Sequence, residues 1–222
     1  MGSNHAPMIV AIDGPAGAGK STVARRVAQE LGIAFLDTGA MYRAVTLAVI
    51  ERAIHPSDAA ACTEVAESVG LSFDSDGQIL IEGEPGEPEI RSQTVTLNVS
   101  AVSAHAGVRK AIVAQQRALA ERQGSVVAEG RDTTTVVFPF AEHKFFLVAT
   151  PGERARRRAR QEGTPERVEE ILHDIERRDR LDATRAHSPL TRAPDAELIQ
   201  ADNLTIAEVV GRVLASIRKE HA

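Results

Sequence analysis

The sequence predicts an α/β protein with a parallel sheet flanked by helices, a small antiparallel β insert and an arginine-rich helical segment. Three observations carry this. The apolar run MIVAID is followed at once by GPAGAGKST (Gly14–Thr22) and then by STVARRVAQEL, with apolar residues at Val23, Val27 and Leu31. Strand-like and helix-like stretches alternate along the rest of the chain, the pattern that buries a parallel sheet between helices. Over roughly residues 63–95 the alternation gives way to short β-prone runs broken by Asp76-Gly77 and two Glu-Pro steps, the punctuation of hairpins.

The first strand and its loop set the chemistry. Gly14, Gly19, Lys20 and Ser21 fit the spacing G-x-x-x-x-G-K-[ST]. In such a loop (Gly14, Pro15, Ala16, Gly17, Ala18, Gly19, Lys20, Ser21 and Thr22 here) backbone N–H groups turn inward around phosphate oxygens. Lys20 reaches the outer phosphates of a nucleotide, and the Ser21 hydroxyl is offered to Mg²⁺. The following helix points its positive N-terminal end at the anion. A glycine-rich turn with no ligand is the plain alternative; the strand before and the helix after favour phosphate binding.

Further along, AFLD reads as a short strand and TGAMYRAVTLAVIERA as a helix. Together they put Asp37, Thr38, Tyr42 and Arg43 at a carboxyl strand end, where open α/β sheets bind ligands. After the β insert, VRKAIVAQQRALAERQG returns to helix and stops at Gly124. SVVAEG and HKFFLVAT read as buried parallel strands. EGRD between them places Glu129, Arg131 and Asp132 at another strand end, and an acid there suits the water shell of Mg²⁺. Pro151 opens an arginine-rich helix, broken by GTP at 163–165 before a second charged helix. In that helix Arg178, Asp182 and Arg185 are spaced to share one face. AELIQA and TIAEVVGRVLASIRKEH read as the last strand and helix.

Composition excludes several classes. In 222 residues, 43% apolar and 26% charged, no apolar run approaches the length of a membrane span. The start, MGSNHAP, lacks the basic and apolar regions of a signal peptide and reads in part as a cloning remnant. A lone cysteine, Cys62, forms no internal disulfide and suits a reducing cytoplasm. The seven histidines are scattered without zinc spacing. The net charge of −5 argues against nucleic acid as a partner. Charge is uneven, however. Residues 51–90 carry ten acids and one base, whereas residues 151–192 carry eleven arginines, no lysine and nine acids. RARRRAR (Arg154–Arg160) is the densest block. A charge run is ordinarily a solvated helix face, but arginine without lysine favours forked recognition of phosphate.

Taken in order, GPAGAGKST, LDTGAMYR, EIRSQTV, VR with QQRALA, EGRDTTTVVFP, RARRRA, RRDRLDATR and SPL resemble the bacterial cytidylate kinases over about residues 8–220. These are P-loop nucleoside monophosphate kinases. The EIR segment after the β-rich insert separates them from adenylate kinases. The resemblance implies one kinase domain over 8–222 after a tail at 1–7. Its core would comprise 8–62, 96–150 and 186–220, with an NMP-binding insert at about 63–95 and a lid at about 151–185. It implies transfer of the γ-phosphoryl group of ATP, with Mg²⁺, to CMP or dCMP by a cytoplasmic monomer.

Carried over by residue, Gly14–Thr22 would hold ATP, and Ser21 with Glu129, through water, the metal. Arg43, Arg131 and Arg185 would grip the CMP phosphate. Ser100, Arg109 and Asp132 would face the base, Arg178 and Asp182 the sugar, with Thr38 also in the substrate set. Arg154, Arg157 and Arg158 would belong to the lid and, with Lys20, Arg131 and Arg185, act in transfer. The chemistry agrees: a phosphate acceptor is ionised near neutral pH, so positive charge is needed and a general base is not. A small-molecule hydroxyl kinase would need a base, and a regulatory nucleotide-binding module would not need the arginine lid. Three departures from the family pattern stand out, one of them a pair of residues. Thr133-Thr134 stand where an Ile-Gly pair is usual, Phe140 where Asp is common, and Gln200 where Asp is usual. Thr134 is expected to tighten the loop beside the base site.

Overall fold

The first strand, β1 (Ile9–Asp13), is apolar until its last residue, with β-branched Ile9, Val10 and Ile12, and all but Ile9 are buried. In the computed structural model, which describes residues 7–74 and 76–219, it forms the middle of a five-stranded sheet. The tail expected over residues 1–7 lies, apart from Pro7, outside the described residues. The strand order is β2 (Ala34–Asp37), β6 (Val126–Gly130), β1, β7 (His143–Val148), β8 (Glu197–Gln200). β1 runs parallel to both β6 and β7, and β7 runs parallel to β8. The register puts Asp13 opposite Gly130, so the loop after β1 and the loop after β6 leave the sheet side by side.

The chain divides into two compact units, one of residues 1–35 and 126–222, the other of residues 36–125. In the first, α1 (Lys20–Leu31) starts at Gly19, whose φ of 96° is left-handed, and ends at Gly32 in the same region. Its apolar stripe, Val23, Ala24, Val27 and Ala28, packs with Val10, Ile12, Val127, Phe145, Leu147 and residues of α8 (Ile206–Lys219). The arginine-rich helix α6 (Pro151–Glu162) is capped by Thr150, whose hydroxyl accepts from the Glu153 N–H, and has Pro151 in its first turn. It pairs with α7 (Val168–Thr184) through a small core of its own, Ala155, Ala159, Ile171 and Ile175.

The second unit contains α2 (Thr38–Glu51), α3 (Ala59–Ser68), α4 (Gln93–Ala104) and α5 (Ala106–Gln123). Between α3 and α4 lies an antiparallel sheet of β3 (Leu71–Phe73), β4 (Ile79–Ile81) and β5 (Glu84–Pro85). The β-rich insert is therefore present, confined to residues 71–85 and flanked by helices that the texture of the sequence hides. α3 is short and alanine-rich, fixed by Asp58, which accepts from the Ala61 N–H at 3.0 Å. α4 is rich in β-branched residues, poor helix formers. It is helical because Ser92 caps it and Val95, Val99 and Val102 bury one face. Among the described residues no helix is long and apolar enough to cross a membrane.

Candidate active site

The loop after β1 is held against β7. A Cβ on Gly14 would stand 2.0 Å from the Leu147 carbonyl oxygen, so only glycine lets the chain leave the strand there. Lys20 follows Gly19 into the first turn of α1 and is 5% exposed. Its Nζ donates to the Pro15 carbonyl at 3.0 Å, folding back over the loop it ends, and lies 3.9 Å from a Glu129 oxygen. Burial, then the cation of Arg131, pull the Lys20 pKa down to about 8, against the opposing pull of Glu129, Asp13 and Asp182. Ser21 donates its hydroxyl to the other Glu129 oxygen at 2.7 Å. A hydroxyl and a carboxylate side by side at a phosphate loop are oxygen donors of the kind a hard divalent cation takes. The residues present thus fit Mg²⁺.

The loop after β6 brings the second group. Arg131 Nε donates to Asp182 Oδ2 at 2.9 Å. Arg185 stands 3.9 Å from Asp182 Oδ1 and 3.7 Å from Asp132 Oδ1. Burial pushes the Asp182 carboxyl up, but Arg131 and Arg185 outweigh it and hold it below the usual range. Burial likewise lowers Arg131, and Asp182 and Glu129 more than restore it. Arg178 and Asp182 lie on α7 as expected. Arg185 does not share their helical face: α7 ends at Thr184, and Arg185 is extended at its C-cap, with Nε donating to the Ser188 carbonyl. It reaches Asp132 from outside the helix.

The arginine block of α6 is not uniform. Arg154 is 3% exposed and donates three ways: to the Ala149 carbonyl at 2.9 Å, the Ala16 carbonyl of the phosphate loop at 2.9 Å and Asp179 at 2.6 Å. Arg157 donates to Glu153 at 2.9 Å and to the Ala201 carbonyl at 2.5 Å. Arg158 donates to Glu162 at 2.6 Å, one turn along its own helix.

In the second unit, Asp37 caps α2 by accepting from the Ala40 N–H at 2.8 Å, which buries Thr38 in the first turn. Arg43 donates to the Ile90 carbonyl and to Thr96 Oγ1 at 3.1 and 3.0 Å. Arg109 is buried on α5, donates to the Ser103 carbonyl at 3.1 Å and lies 5.0 Å above the Tyr42 ring, while Ser100 is half-buried on α4. The expected residues thus form two sets. Lys20, Ser21, Glu129, Arg131, Asp132, Arg154, Arg157, Arg158, Arg178, Asp182 and Arg185 belong to the first unit. Thr38, Arg43, Ser100 and Arg109 belong to the second.

Two features escaped the sequence. Asp13 ends β1 with its carboxylate inside the fold, accepting from both the N–H and the hydroxyl of Thr133 and of Thr134. An acid in an otherwise apolar strand was the available signal. Accordingly Thr134 does not tighten the loop through a strained backbone. It sits in one wide helical turn, Thr133–Val137, and is not among the residues with positive φ. The second feature is a pairing: Asp179 stands beside Arg178 in the RRDRLDATR run, yet nothing local in the sequence says that it takes the charge of Arg154. Phe140 is 95% exposed, and Gln200, also exposed, donates to Asp202 at 3.4 Å.

A parallel sheet with a phosphate loop between its central strand and α1, and with half-buried arginines at the neighbouring strand end, defines a P-loop protein of the phosphoryl-transfer kind. The family described as cytidylate kinase matches residues 10–219. Cytidylate kinase of Mycobacterium leprae is 47% identical over 215 residues, covering 96% of each chain. Cytidylate kinase of Desulforamulus reducens is also 47% identical, over 95% of this chain and 96% of that one. The chain belongs to the cytidylate kinase family, a family of kinases. A crystal structure of an uncharacterized protein from Eubacterium ventriosum shares the fold, with a TM-score of 0.53 at 13% identity over 95% of this chain and 98% of that one.

Proposed function

We propose that the protein transfers the γ-phosphoryl group of ATP, with Mg²⁺, to CMP or dCMP, giving CDP or dCDP and ADP. The observation that carries this reading is the pairing of a cation-lined phosphate loop with a second, half-buried cation group, Arg131 and Arg185, at the adjacent strand end. Nothing positioned as a general base is required, because the acceptor phosphate already carries its negative charge near neutral pH. Catalysis is then a matter of bringing two polyanions together and stabilising the transferring group.

In this reading the N–H groups of Gly14–Thr22 cradle the ATP phosphates and Lys20 follows the γ-phosphoryl group. Ser21, and Glu129 through water, hold the metal, which when bound supplies charge neutralisation on the phosphates. Arg43, Arg131 and Arg185 take the CMP phosphate, which replaces Asp182 as a partner of the two arginines it now neutralises. Asp182 and Arg178 then engage the sugar. Ser100, Arg109 and Asp132 read the base, and Thr38 completes the substrate set. Arg157 and Arg158 act from the lid, with Arg154 beneath them. We read the enzyme as a cytoplasmic monomer.

Cytosine offers an amino donor where uracil offers a carbonyl, and an acceptor at N3 where uracil has N–H. A carboxylate and a guanidinium matched to cytosine would meet like with like in uracil. Polar sites of this type discriminate by up to ~10⁴ in kcat/KM. A coupled assay across CMP, dCMP, UMP and AMP is expected to show CMP and dCMP far ahead of UMP. Asp132→Ala should narrow the gap mainly by harming CMP. Equal rates with UMP and CMP would remove the base assignment, and no turnover with any monophosphate would remove the proposal.

A further inference from the structure

Asp13 is fully buried, and both carboxylate oxygens are committed. Oδ1 accepts from the Thr133 N–H at 2.8 Å and the Thr133 hydroxyl at 2.6 Å. Oδ2 accepts from the Thr134 N–H at 2.7 Å and the Thr134 hydroxyl at 2.6 Å. Asp13 immediately precedes Gly14, and Gly14 is already wedged against the Leu147 carbonyl. Thr133 follows Arg131 and Asp132 directly. One carboxylate therefore joins the root of the phosphate loop to the turn that anchors the arginine loop. Two of its four bonds come from backbone N–H groups that any residue but proline would supply. The other two come from hydroxyls that only Ser or Thr brings at these positions.

We propose that Thr133 and Thr134 are positioning residues whose hydroxyls clamp Asp13 and so fix the distance between the loop beginning at Gly14 and the loop carrying Arg131 and Asp132. This rests on the kinase reading for its effect on rate, though not for its effect on structure. A buried carboxylate that loses two donors is poorly satisfied and must tilt or draw in water. Either response lets the two loops shift relative to one another. Transfer is sensitive to that shift, because a misplacement of about 1 Å between reacting groups costs on the order of 10²-fold.

The test is the double variant Thr133→Val/Thr134→Val, which keeps side-chain shape and backbone donors while deleting both hydroxyls. With ATP and CMP saturating, kcat of the folded protein should fall by about 10-fold or more with the KM for ATP changed less than about 3-fold. Amide hydrogen exchange should quicken in residues 14–22 as well as 130–137. Thr133→Ser/Thr134→Ser, which restores both hydroxyls, should recover at least about half of kcat. A kcat within twofold of wild type, or faster exchange confined to 130–137, overturns the clamp. If the wild type fails to phosphorylate CMP, the function reading falls and the exchange pattern alone decides this one. If the double valine variant does not fold, Thr134→Val alone is judged by the same two criteria.

Discussion

Arg154 and Arg156 are two residues apart on α6, yet one sits in the protein interior and the other in water. Arg154 has three acceptors on three different segments, a strand end, the phosphate loop and α7. Arg156 has one, Glu153 on its own helix at 3.1 Å, and its side chain is 57% exposed. The first arrangement removes a charge from water and repays the loss only through complete pairing. The second is screened and costs little to break. The comparison teaches that an arginine block is not a functional unit. Its members are sorted by the direction each Cβ takes from the helix: Arg154 is tied to the phosphate loop and α7, and Arg157 to the Ala201 carbonyl after β8.

The largest expected effect is at Lys20, the buried cation that the loop folds around. Lys20→Ala should leave a folded protein by circular dichroism with transfer reduced by roughly 10³-fold or more in the coupled assay, since the charge partner of the transferring group is lost. Wild-type turnover in that variant would break the phosphate-loop assignment.

Next is the contrast between Arg154 and Arg156. Arg154→Ala takes the donor from two carbonyl groups and from Asp179, whose side chain is 24% exposed, and losing a hydrogen bond to a charged group typically costs about 1.5–3 kcal/mol. Arg156→Ala should change stability by less than about 0.5 kcal/mol. Thermal or urea unfolding of the two variants measures the difference directly. Similar midpoints for both would mean that Arg154 contributes no more than a surface ion pair.

The smallest effect is on the acid limb of stability. Asp182 has its carboxyl held below its ordinary value in the folded protein, so the unfolded chain binds the proton more readily. Its contribution to stability is present above the unfolded value, about 3.9, and is lost as pH falls through the folded value. Asp182→Asn should therefore be less stable than wild type near pH 6, with the difference narrowing as pH falls below about 4. A constant difference across that range would mean that Asp182 is not held ionised by Arg131 and Arg185.

Much of the site was legible because phosphate binding is written locally. Gly14–Thr22 places its glycines, lysine and hydroxyl by spacing alone, and the strand and helix on either side are legible in apolar periodicity. The pairing of Ser21 with Glu129 joins residues 108 positions apart in the chain, but each sits at a recognisable strand or helix end. α3 and α4 were less legible because a side-chain cap and burial of one face override weak local propensity. The position of Arg185 was misread for a related reason. Spacing by four and three assumes a continuing helix, and α7 stops one residue too early.

By itself the sequence determined the alternation that builds a parallel sheet, the phosphate loop, the antiparallel insert and the wealth of arginine. These follow from short-range rules of turn chemistry, periodicity and charge. Only the tertiary structure decided which arginines are buried and what neutralises them, and that the Asp13 carboxylate turns inward onto Thr133 and Thr134. Such choices depend on which strands become neighbours in the sheet. Parallel neighbours are joined by crossovers rather than tight turns, so their loops meet only once the whole unit has folded.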